Sequence, residues 1–117
     1  MPYADDRPAV SAAAFEALGR LGVDDRAAAL AIAALESADV SVRTMAAGAL
    51  TGRTGGADDA LRIARHLDDV WPVAVRVAHA LQTMGGPGRM ALQAQAARPD
   101  LAGALARQML WEAEARV

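Results

Sequence analysis

An all-α fold of about three stacked helical hairpins, closed by a C-terminal helix, is what the sequence predicts, on three observations. Ala fills 31 of the 117 positions, against four aromatic residues. Ala loses no side-chain freedom in a helix, whereas strands draw on β-branched and aromatic residues. Apolar residues recur at helical spacing in Val10/Ala14/Leu18, Val42/Ala46/Leu50 and Val73/Val77/Leu81. The anchoring residues Leu18, Leu50 and Leu81 stand 32 and 31 apart, a period typical of helical repeats. A helical bundle with accidental spacing remains an alternative. A coiled coil is weaker, because Gly and Pro break the pattern before a heptad survives three turns.

The first hairpin is expected to run through Val10 to Gly22, entered past Pro8, and to return through Asp24 to Glu36. The second pairs Val42 to Gly55 with Ala57 to Leu67, and the third pairs Val73 to Gly85 with Gly88 to Ala97. Asp39 and Asp69 suit N-caps, and Pro72 sits where a missing N–H does no harm. Gly22, Gly55-Gly56 and Gly85-Gly86 are placed to end the first helices in the left-handed conformation. Asp24-Asp25 and Asp58-Asp59 set negative charge at positive helix ends, which favours capping over a paired-carboxylate or metal role. A last helix from Asp100 to Arg116, opened by Pro99-Asp100, brings the count to seven helices and no strand.

The run Asp39-Val40-Ser41-Val42-Arg43-Thr44-Met45-Ala46-Ala47-Gly48-Ala49-Leu50 resembles the first helix of a bacterial HEAT repeat: Asp, a short spacer, Val-Arg, then Ala and Ala-Leu. The resemblance implies an α-solenoid and gives Asp39 and Arg43 the polar contacts that join neighbouring repeats. Ser11 and Ala74 stand where the other repeats would carry Arg, so it does not imply a continuous Asp-Arg ladder. The stretch from Trp71 to Glu112 is similar to the closing repeat of such proteins, with a Gly86-Pro87-Gly88 turn and residues 100 to 116 as the cap. The resemblance then implies one HEAT-like domain over residues 1–117, standing alone or as the C-terminal part of a longer chain.

Composition narrows the function. The net charge of −2, from 14 acidic residues against 12 Arg and no Lys, disfavours nucleic acid. Cys is absent, which removes disulfide and thiol chemistry. The first residues lack a basic and apolar leader, and the longest apolar run, Ala27 to Leu35, is far short of a membrane span. A cytoplasmic setting is the default expectation. No hydroxyl sits in a strand-turn-helix elbow or beside a His in sequence, and His66 and His79 belong to no metal-binding spacing, so neither catalysis, a metal nor a cofactor is expected.

Two groups of residues stand out as binding candidates. In HEAT-like stacks the second helices line the concave face, which aligns Arg26, Arg62, Arg65, His66 and Arg89, with Gln93 beside them, as a basic stripe. Guanidinium groups so placed suit a phosphate, a nucleotide or an acidic peptide. The plainer account is the solvated face of amphipathic helices, balanced by Glu36 and Asp59. Trp71 and Trp111 either plug gaps at the ends of Ala-rich helices or, with Leu110, meet a partner. On the last helix Leu101, Leu105 and Met109 form the expected core stripe, and Leu110 and Trp111 fall off it.

The leading functional expectation is a protein-interaction or regulatory scaffold that is not an enzyme. Its runner-up is a module that holds a small anionic ligand or nucleotide on the Arg stripe, or an accessory subunit of an enzyme. A lyase or DNA glycosylase, known for some HEAT-like folds, ranks third.

Overall fold

The computed structural model describes residues 25–53 and 55–115. Among them are six α-helices, one 3-10 turn and no strand: α1 (Asp25–Ala34), α2 (Val40–Ala49), α3 (Ala57–Ala64) with the turn Arg65–Asp68, α4 (Trp71–Thr83), α5 (Gly86–Ala96) and α6 (Leu101–Ala115). The helix expected over Val10 to Gly22, with Leu18 and Asp24, lies outside the described residues.

Two layers arise from how these helices touch. α2 packs on α4 and α4 on α6, while α1 contacts α3 and α3 contacts α5. The sequence-adjacent pairs α1–α2, α4–α5 and α5–α6 join the layers. The first-layer helices run in the same direction, because their like ends are linked. Arg43, in the first turn of α2, pairs with Asp69, just ahead of α4. Arg98 pairs with Asp68 ahead of α4 and with Asp100 ahead of α6. At the opposite ends, the Gly52 N–H donates to Thr83 Oγ1 and Gln82 Nε2 donates to the Met109 carbonyl.

The core lies between the layers and is built mostly of Ala with a few large side chains. Leu35, Leu50, Ile63, Leu81, Leu92, Val73 and Val77 are the largest fully buried ones. The anchors Leu50 and Leu81 therefore sit where their spacing places them. Small neighbours let backbones approach closely, as at Gly88. A Cβ there would stand 1.9 Å from the Leu81 carbonyl oxygen, so only Gly fits between α5 and α4.

Several local expectations need correction. α2 ends earlier than Gly55: Leu50 is its C-cap, and Gly52 with φ of 88° supplies the left-handed residue. Gly56 instead enters α3 in an extended conformation. Gly85, with φ of 81°, does serve as expected, but Gly86, Pro87 and Gly88 already form the first turn of α5 rather than a separate turn. Asp39 caps α2 by accepting from the Val42 N–H. Asp69 caps nothing, because its carboxylate is drawn to Arg43 and the N-cap of α4 passes to Val70. On α6, Leu101 is 60% exposed, and Ala102 joins Leu105, Ala106 and Met109 in the core.

Candidate functional site

A cleft of about 270 Å³ opens between α1 and α3. Its floor comes from α1, whose Ala29, Ile32 and Ala33 are spaced i, i+3 and i+4 and so share one face beside the buried Ala28, Ala31 and Leu35. Glu36 continues that face just past the helix end. The facing wall is α3 and its 3-10 turn, which bury Ala60, Ile63, Ala64 and Leu67 and turn Asp59, Arg62, Arg65 and His66 to the cleft. α3 is strongly two-sided for this reason.

Charge in the cleft is unevenly satisfied. His66 Nε2 lies 2.8 Å from Glu36 Oε2, bridging the two sides. Asp59 lies 3.5 Å from Arg53 Nη1. Arg62 and Arg65 are exposed and form no ion pair with a described residue. No Ser or Thr borders the cleft, and among the described residues no three His, Asp or Glu come together as a metal-ligand set. The Ser37 and Thr44 hydroxyls are taken up locally, by the Asp39 N–H and the Val40 carbonyl.

The expected stripe is thus divided. Arg62, Arg65 and His66 meet at the cleft, while Arg26 is exposed on the first turn of α1, outside the lining. Arg89 instead borders a separate cavity of about 40 Å³ with Gln82, Leu92, Met109 and Leu110, and Gln93 is exposed on α5. α3 and α5 are adjacent as expected, yet their cationic residues serve different hollows. The floor residue Ile32 was hidden inside an Ala-rich run, and only the helical phase of α1 singles it out.

Trp71 and Trp111 do not plug gaps: they are 55% and 65% exposed. Leu110 is half-buried and packs on the core. His79 is half-buried on α4.

The strongest electrostatics lie elsewhere, along the starts of α2, α4 and α6. Arg43 donates through Nε and Nη2 to the two oxygens of Asp69, at 2.7 and 3.0 Å, and through Nη1 to the Ser37 carbonyl at 2.8 Å. Burial pushes the Asp69 carboxyl up, but the Arg43 hydrogen bonds, the Val70 N–H and the Arg43 and His66 charges together hold it below its ordinary 3.8. The Asp69 hydrogen bond in turn raises the Arg43 guanidinium. Arg98, hydrogen-bonded to Asp68 and Asp100, is raised likewise, and Asp100 is lowered chiefly by Arg98 and then by the Gly103 N–H. These groups are consumed in holding helices together.

No helix among the described residues is long and apolar enough to cross a membrane. Compared with known proteins, the chain matches no family model, no curated protein and no solved structure.

Proposed function

We propose that the chain is a short α-solenoid of HEAT-like hairpins that acts in the cytoplasm as a protein-interaction scaffold, without catalysis. Like-directed first helices and a second layer packed beside them are what such a stack requires. The observation that carries the functional reading is the α1–α3 cleft. It is apolar at its floor and bears both charge signs on its walls, the mixture found at protein contacts. At about 270 Å³ it falls below the ~300 to 1,000 Å³ that small-molecule sites occupy. The exposed rings of Trp71 and Trp111 add contact area of the kind that interfaces favour.

The guanidinium groups of Arg62 and Arg65, which form no ion pair with a described residue, favour a second reading, a small anionic ligand. A thermal-shift screen of nucleotides, phosphorylated metabolites and peptides, run beside an Arg62→Ala/Arg65→Ala variant, separates the two. Peptides are expected to raise the melting point and metabolites to leave it unchanged. A nucleotide whose stabilisation grows with the logarithm of its concentration and disappears in the variant would replace the scaffold reading.

A further inference from the structure

The charges that line the cleft are equal in number but unequally engaged: Arg62 and Arg65 stand against Glu36 and Asp59, before any charge on His66. Both carboxylates already have a partner, in His66 and Arg53. The charge left without a described ion-pair partner is therefore that of Arg62 and Arg65, in a chain whose net charge is −2. Next to them lies uncovered apolar surface: Ala29, Ile32 and Ala33 in the cleft, and Leu61, 58% exposed one turn before Arg65.

From this juxtaposition we infer that the cleft receives an acidic segment of a protein partner, with an aliphatic side chain on the floor and carboxylates on Arg62 and Arg65. The inference rests on the interaction-scaffold reading and names the partner's chemistry. Two features select a peptide carboxylate over a phosphate. A phosphate would leave the apolar floor wet. Its double charge would also face Glu36 and Asp59, whereas single carboxylates spaced along a peptide can meet each guanidinium separately. Guanidinium groups bind carboxylates through paired N–H donors, and exposed Arg without a fixed partner is free to do so.

The test uses labelled peptides of one frame, in which a central Leu is flanked by two Glu, two Gln or two Lys, with binding read by fluorescence anisotropy. The intact chain should bind the Glu peptide roughly tenfold more tightly than the Gln peptide, and the Lys peptide most weakly. The order should invert in an Arg62→Glu/Arg65→Glu variant, and that gain for the Lys peptide shows the variant is folded. Equal binding of the three peptides, or a Glu preference that survives the reversal, overturns the proposal. So does a charge reversal that splits a dimer into monomers in light scattering, because the occupant is then a second copy. Selection from an unbiased displayed peptide library distinguishes this failure from that of the scaffold reading. Non-acidic peptides that bind the reversed variant equally well overturn the acidic segment alone, whereas a library from which nothing is retained overturns both.

Discussion

The two layers of the molecule spend their charges differently. Along the starts of α2, α4 and α6, Arg43 and Arg98 are each held by carboxylates from a neighbouring turn. Across the α1–α3 cleft, Arg62 and Arg65 are held by none that is described. The same residue type is structural in one place and available in the other. Burial separates the two roles: the side chains of Arg43 and Asp69 are 16% and 14% exposed, so leaving either alone would strand a poorly solvated charge, while Arg62 and Arg65 keep their water. If this contrast is right, first-layer substitutions should cost stability and cleft substitutions should cost binding.

The largest loss is expected for Leu50→Ala. Leu50 is 1% exposed and caps the end of α2, the helix that packs on α1 and α4. Truncation of such a side chain typically costs ~2 to 5 kcal/mol, which urea denaturation measures directly. Small Ala neighbours allow partial collapse and favour the lower part of that range. A loss within experimental error would show that the anchor is misplaced.

Gly88→Ala should come next, at about 1 to 3 kcal/mol, the usual cost of overpacking. The added Cβ meets the Leu81 carbonyl, a backbone atom that cannot rotate away. Gly48→Ala is the control: its Cβ would meet the Arg76 guanidinium, the mobile end of an exposed side chain. Equal melting temperatures for the two variants would break the assignment of α4 and α5 as the close pair.

Asp69→Ala removes two charge-assisted hydrogen bonds from Arg43 and should cost about 1 to 2 kcal/mol. Acidification offers a second measure of the same contact. Because the Asp69 carboxyl is held below its ordinary 3.8, the folded chain binds its proton less readily than the unfolded chain does. The contribution is complete above that value and disappears as pH falls through the depressed one. The stability difference between the parent and Asp69→Ala should therefore narrow on acidification. A constant difference down to pH ~2 would mean that Asp69 acts through packing rather than charge.

The fold was legible in the sequence where local signals suffice. Helical spacing places Leu50 and Leu81 in the core, and Asp39 is readable as a cap because an N-cap needs only its own next turn. Asp69 was misread for the opposite reason: its partner, Arg43, lies 26 residues away, and nothing local announces the pair. The missing ladder Arg at Ala74 has a similar explanation, since Arg98 supplies a contact to Asp68 from the far end of α5. In the cleft, repeat alignment gathered Arg62, Arg65 and His66 correctly because they share one helix and its turn. It placed Arg89 beside them only by analogy between repeats, whereas that residue borders another hollow, with Gln82, Leu92 and Met109. The Trp residues show the limit of composition, because large aromatic area predicts contact but not whether the contact lies within the chain.

The smallest stability effect should come from Arg62→Ala and Arg65→Ala. Both side chains are exposed, neither forms an ion pair with a described residue, and surface substitutions of this kind usually stay within about 0.5 kcal/mol. Arg62→Ala also removes a cation from the last turn of α3, where it faces the negative end of the helix, so a loss of a few tenths, up to ~0.5 kcal/mol, is reasonable. Added salt should shrink even that, because exposed charges are screened over roughly 8 to 10 Å at physiological ionic strength. Measured together with Asp69→Ala in low and high salt, the pair would show a large, salt-tolerant loss on one side and a small, salt-sensitive one on the other. Should the double cleft variant lose as much as Asp69→Ala, Arg62 and Arg65 are structural after all, and the division between spent and available charge fails.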